Sequence, residues 1–253
     1  MATFSSTTKY GLALGGGAVL GAAHVGVLQA LDEQSIRPAA ITGTSIGAFI
    51  AAMYAFGLSI SEIEEIALDL DWLNISQVSL SRYGLMSNDK MGDLLDEVIG
   101  EVDFQEADIP LAMIAADIRT GEKVVLDSGD VAKAVMASTC LPGIYTPVEH
   151  QDHLLVDGGI VENVPVSLLK HKTVDAIIGV DLLSSQGLDS PDNIIDILVN
   201  AYNISTRNVT QIQLEDADLV IAPDLSAFNM TDTGQVSELI QAGYDATRLL
   251  GKD

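Results

Sequence analysis

Cysteine occurs once in the 253 residues, as Cys140, so no disulfide can form within the chain, and the composition suits a reducing cytoplasm. Basic residues are also scarce. Twelve Lys and Arg stand against 36 Asp and Glu, a formal net charge of −24. The carboxylates are spread along the chain rather than gathered in an acidic tail. This balance excludes nucleic acid, and anionic membrane surfaces, as partners held by electrostatics. It fits a saline setting in which salt screens self-repulsion. No apolar run approaches the roughly 20 residues of a transmembrane helix. The first residues, Met1-Ala2-Thr3-Phe4-Ser5-Ser6, lack the basic and apolar regions of a secretory signal, so a cytoplasmic location is expected. There is no Pro/Ser-rich linker and no internal repeat, which predicts one domain over 1–253.

Hydrophobic residues make up 48% of the chain, enough for one sizeable core around a buried parallel sheet. Strand and helix patterns alternate. Strands are predicted at 10–14, 39–41, 110–116, 123–126, 154–157, 175–180 and 218–222. Helices are predicted at 19–28, 48–54, about 130–138, about 190–215 and about 234–250. This order predicts an α/β fold. The stretch from 58 to 110 is less constrained. Ser61-Glu62-Ile63-Glu64 opens a capped helix, with Ile63, Ile66, Ala67 and Leu70 at helical spacing, and Trp72, Leu73, Leu85, Met86 and Met91 follow. A lid or groove would lie there, or at 184–192, although such apolar residues also serve simply as core.

Three glycine-marked blocks carry the chemistry. In Gly43-Thr44-Ser45-Ile46-Gly47, a serine sits between an apolar strand and an apolar helix, the sequence form of a nucleophile elbow. The same residues could merely cap a helix. Gly15-Gly16-Gly17-Ala18 follows the first strand. A dinucleotide fingerprint fails there because Leu20 occupies the last glycine position, and a P-loop fails for want of Gly-Lys-Ser/Thr. A cluster of backbone N–H groups around an oxyanion remains, beside a plain tight turn. In the third block a strand delivers Asp157 onto Gly158-Gly159, at a sheet edge or in an ordinary Asx turn.

In order and spacing these blocks resemble the patatin-like phospholipases, a family that includes bacterial lipid acyl hydrolases and the catalytic domain of neuropathy target esterase. The resemblance runs from Gly11 to about Asp181. It includes His24-Val25-Gly26-Val27-Leu28, Ala137-Ser138-Thr139-Cys140-Leu141-Pro142 and Asn163-Val164-Pro165-Val166. Where many members carry Arg or Lys in the glycine-rich block, this chain has Leu20. The resemblance implies a three-layer sandwich, a mostly parallel central sheet with helices on both faces. It also implies a Ser–Asp dyad, with Ser45 as nucleophile and Asp157 as base. Backbone N–H groups of Gly15, Gly16, Gly17, Ala18 and Ile46 would hold the oxyanion. Substrates would be acyl esters or (lyso)phospholipids, with no metal and no cofactor, and the net charge expects at most transient membrane contact.

A Ser-His-Asp triad stays open in the sequence, since His171 follows Asp157 in chain order. His171 reads as a helix-end cation, His150 and His153 as turn residues, and His24 as a packing residue. Cys140 lies in a loop without an obvious base and reads as a structural thiol. A catalytically quiet module of the same fold, binding an acyl ligand or a protein, is the alternative function.

Overall fold

The computed structural model describes residues 7–70, 77–78, 84, 86–188, 190–192 and 194–250. Trp72, Leu73 and Leu85 lie outside the described residues. The elements are β1 (Tyr10–Leu14), α1 (Ala23–Glu33), β2 (Ala40–Thr44), α2 (Ile46–Ala55), α3 (Ile60–Asp69), β3 (Gln77–Val78), β4 (Met86–Ser87), α4 (Asp89–Ile99) and β5 (Leu111–Asp117). There follow β6 (Lys123–Leu126), α5 (Val131–Ser138), β7 (Val148–His150), β8 (His153–Asp157), β9 (Ala176–Val180), α6 (Ile194–Gln213), β10 (Leu219–Ile221) and α7 (Val236–Arg248).

The main sheet runs in the order β10-β9-β1-β2-β5-β8-β7, with β6 also paired to β5. From β10 to β5 every pairing is parallel. Every residue of β1, β2 and β5 is buried, which is why these strands read as unbroken apolar runs rather than alternating ones. Alternation appears instead in the packing. Leu12 and Leu14 of β1 join the large cluster with α1, α2, α5 and α7, while Ala13 faces a smaller cluster with Val164, Val166 and Leu169. Leu214 and Ala217, at the end of α6, close that second face and complete the three layers.

β6, β7 and β8 break the parallel rule. Ile114 pairs with Thr44 on one side and Val125 on the other, and Ala115 pairs with Asp157 and Val124. β6 therefore takes one edge of β5, and β2 and β8 share the other. They share it end to end. β2 climbs beside β5 as far as Ile114, and β8 descends antiparallel as far as Ala115. The carboxyl ends of the two strands thus abut.

Several boundaries differ from the sequence reading. The chain after Gly17 first makes a 3-10 turn, Ala18–Ala22, before α1 begins. α3 begins at Ile60, with Ser59 as its cap. The Ser59 side chain accepts from the Glu62 N–H, and the Glu62 carboxylate accepts from the Ser59 N–H at 2.8 Å. α4 fills part of the stretch left unassigned in sequence, and only Met91, Gly92 and Leu95 of it are buried.

Candidate active site

β2 ends at Thr44 and α2 starts at Ile46, so the whole reversal falls on Ser45, at φ 55° and ψ −130°. A serine with positive φ is strained and persists only where its surroundings hold it. The Ser45 carbonyl accepts from Ala48 N–H at 2.8 Å, which closes the first helical turn. The Ser45 N–H donates to Ser138 Oγ at 2.9 Å, and the Ser138 hydroxyl donates to the Ile114 carbonyl at 2.7 Å. Thr44 Oγ1 donates to the Glu162 carbonyl at 3.0 Å. Gly47 is fixed by close approach, since a Cβ there would lie 2.2 Å from the Leu14 carbonyl oxygen.

The abutting strand ends bring Asp157 to Ser45. The Ser45 side chain lies close enough to the Asp157 carboxylate to lower its pKa. Oδ1 of Asp157 also accepts from Gly159 N–H at 2.8 Å and from the Tyr202 hydroxyl at 2.7 Å. Asp157 is 1% exposed. Burial raises its pKa above the ordinary carboxylate value, opposed by the nearby Ser45 side chain and by the hydrogen bonds from Gly159 and Tyr202. Its own N–H donates to the Cys140 carbonyl at 2.8 Å.

The glycine-rich loop narrows the set of N–H donors expected from sequence. Gly15 N–H is engaged by the Val180 carbonyl at 3.1 Å, as an extension of the β1–β9 ladder. Gly16 N–H is engaged by Asn163, at 3.2 Å to Oδ1 and 3.4 Å to the carbonyl. Neither is free in this conformation to meet an oxyanion. Gly17, Ala18 and Ile46 have N–H groups with no acceptor among the described residues. Ala18 has φ 50°, which turns the chain sharply after the three glycines. Leu20 is wholly buried, so its position presents no side chain to an anion.

The histidines lie elsewhere. His24, fully buried, is 2.7 Å through Nε2 from the Gly15 carbonyl, to which it donates. Burial lowers its pKa to about 4, so the ring is neutral. His153 is paired with Asp117 at 2.9 Å, at the opposite end of β8 from Asp157. His171 is exposed in a turn. No histidine among the described residues contributes to the pKa of Asp157, so the triad reading gains no partner. Cys140 is buried, with its thiol pushed up to about 12 by burial and by the charge of Asp157. No cluster of metal-binding side chains occurs among the described residues. No described helix is long and apolar enough to cross a membrane.

A groove of about 830 Å³ opens between α3 and α4, with Phe56, Leu58, Ile66 and Leu94 among its lining residues. It adjoins the carboxyl end of α2, roughly 15 Å along the helix from Ser45 at a rise of about 1.5 Å per residue. It is therefore remote from Ser45. A tighter apolar seam begins at Ile46 and follows Phe49, Ile50 and Met53 down one face of α2, against Val19 and Leu70.

Sequence reasoning missed Ser138, Asn163 and Tyr202 as individual contributors. The first two stood inside recognised blocks whose pieces had no assigned roles. Tyr202 gave no local signal, being one tyrosine in the middle of an amphipathic helix.

The family model for patatin-like phospholipases matches residues 12–170. An uncharacterized NTE family protein of Mycobacterium tuberculosis is 30% identical over 211 residues, covering 82% of this chain and 58% of that protein. Lysophospholipase NTE1 of Pyricularia oryzae is 28% identical over 275 residues, covering 92% of this chain and 18% of its own length. The chain thus spans well under two thirds of these curated relatives. Among solved structures, VipD from Legionella pneumophila superposes with a TM-score of 0.71 at 15% identity, over 96% of this chain and 66% of that one. The match across most of the sheet and both strand ends that meet at Ser45 and Asp157 means that the chain belongs to the patatin-like phospholipase family.

Proposed function

We propose that this protein is a serine-dependent carboxylic ester hydrolase acting on lipid acyl esters of the phospholipid or lysophospholipid type. One observation carries the reading: a serine on a strained strand–helix elbow faces a buried aspartate whose pKa it lowers, with no histidine between them. An ordinary Asp, with pKa near 3.9, is a weak base toward a hydroxyl. Burial raises the pKa of Asp157, which brings it nearer to the range where a carboxylate accepts a proton usefully.

In the proposed cycle Ser45 Oγ attacks the acyl carbonyl carbon as its proton passes to Asp157. The carbonyl π electrons move onto oxygen, and the N–H groups of Gly17, Ala18 and Ile46 are the available donors to that oxyanion. Collapse breaks the ester C–O bond, and Asp157 returns the proton to the leaving alcohol. Water then attacks the acyl-enzyme, giving its proton to Asp157, and the second collapse frees the carboxylic acid and restores the Ser45 hydroxyl. The net charge of −24 supports neutral or zwitterionic head groups over anionic ones. A lysophospholipase among the relatives supports the same substrate class.

The test is hydrolysis of p-nitrophenyl esters from C2 to C16, at low and high salt, with Ser45→Ala and Asp157→Asn alongside. Turnover that falls by about 10⁴-fold or more in each variant, both still folded, is the expected result, since dyad members act as a unit. The chain-length optimum then reports the depth of the acyl site. Wild-type rates in Ser45→Ala would overturn the mechanism. A folded protein inert toward every ester would favour a quiet acyl-binding or protein-binding role.

A further inference from the structure

Asp157 receives a hydrogen bond from a part of the chain that the family match does not reach. Tyr202 lies on α6, beyond residue 170, and its hydroxyl donates to Asp157 Oδ1 at 2.7 Å. That length is the ordinary one for an O–H···O hydrogen bond. We infer that Tyr202 is a positioning residue for the dyad, whose phenol holds the Asp157 carboxylate ionised and oriented toward Ser45. This rests on reading Ser45 and Asp157 as the reacting pair.

The local backbone is built around the contact. A Cβ on Gly159 would lie 2.1 Å from Tyr202 Oη and 3.2 Å from Asp157 Oδ1, so the second glycine after the aspartate is the gap the phenol enters. The Gly159 N–H donates to the same oxygen at 2.8 Å. Two donors therefore converge on Oδ1, and neither occupies Oδ2. Without them, burial would drive the carboxyl toward its neutral form, which cannot accept the serine proton.

The surroundings offer no substitute. Cys140, from the segment after α5, is the other titratable group facing Asp157, and its thiol stays neutral with a pKa of about 12. The Tyr202 phenol is itself held well above its ordinary pKa by burial and by Asp157, so it remains a donor at every working pH. β5 presents Ala115 opposite Asp157, and α2 presents Ser45. No cation among the described residues acts on the carboxylate.

The test measures the titration of Asp157 in two ways. The acid limb of kcat/KM against pH follows ionisation of the base in the free enzyme. The ¹³C carboxyl resonance of Asp157, assigned with Asp157→Asn and followed in a Ser45→Ala background, reports the same group without turnover. Tyr202→Phe is expected to move both upward by about one to two pH units, since a hydrogen bond to a charged group is removed. 3-Fluorotyrosine at position 202 keeps the size of the ring but is a stronger donor, and is expected to move both downward. A merely structural tyrosine would not give opposite shifts. If Tyr202→Phe does not fold, the fluorotyrosine protein decides. Titrations that stay where the unsubstituted protein has them overturn the proposal. If no ester is turned over, the resonance still tests the contact, so the two readings fail separately.

Discussion

His24 donates Nε2–H to the Gly15 carbonyl, while its Nδ1 has no partner among the described residues. The bond holds one side of the Gly15–Gly16 peptide, and Asn163 holds the other through Gly16 N–H. The cost of this arrangement is a pH dependence with a definite sign. Folded, the ring has a pKa of about 4; unfolded, it takes a proton below about 6.5. The stability from a neutral, buried His24 is therefore complete above pH 6.5 and is lost as pH falls toward 4. Over that window it amounts to about 3 kcal/mol, at about 1.4 kcal/mol per unit. His24→Gln keeps a donor for the Gly15 carbonyl and cannot titrate. Urea unfolding from pH 7 to 4 should show the free energy of the unsubstituted protein falling more steeply than that of His24→Gln. Parallel curves would mean that the ring is hydrated or protonated in the folded state. Chain position alone could not reveal this histidine's role, because its partner is a backbone carbonyl in the preceding turn.

At the scale of elements, the site is a junction of β2, β5 and β8, tied to α5 through one hydroxyl. Ser138 joins the Ser45 N–H to the Ile114 carbonyl, which ends the β2–β5 pairing. Ser138→Ala takes the partner from the half-buried Ser45 N–H and from the buried Ile114 carbonyl, at a cost of roughly 1–3 kcal/mol. It should lower the urea midpoint with m unchanged, and lower kcat by relaxing the elbow. Unaltered kcat in a destabilised protein would assign Ser138 to stability alone. Ser45 and Asp157 were legible as candidates because each stands at the end of an apolar strand within a glycine-marked block. That they meet head to head was not. The antiparallel direction of β8 depends on the β7–β8 hairpin, and local pattern carries no strand direction. The engagement of the Gly16 N–H was hidden for a like reason, since its acceptor is 147 residues away. α4 escaped notice because few of its residues are buried and its apolar face is narrow. α6 was legible as a helix, but not as the source of Tyr202 beside Asp157.

Across the whole molecule there are three acidic residues for each basic one. Most carboxylates therefore have no cation to pair with. Lys123 meets one of the few buried carboxylates, Glu162, at 2.8 Å. Net charge of this size destabilises the compact state through self-repulsion. Salt should relieve it, because the Debye length falls from about 10 Å at 0.1 M to about 3 Å at 1 M. Thermal unfolding in KCl should shift upward by on the order of 5 °C, given that 1 kcal/mol moves Tm by about 2–4 °C in a chain of this size. The shape of the curve separates screening from a general salting-out of apolar surface. Screening saturates, since the Debye length changes little beyond the first molar step, whereas salting-out continues to rise with concentration. A rise concentrated below about 0.5 M is expected. A flat or strictly linear response would mean that the carboxylates are spaced widely enough for water alone to hold them apart, and that the acidity of the chain serves solubility rather than adaptation to salt.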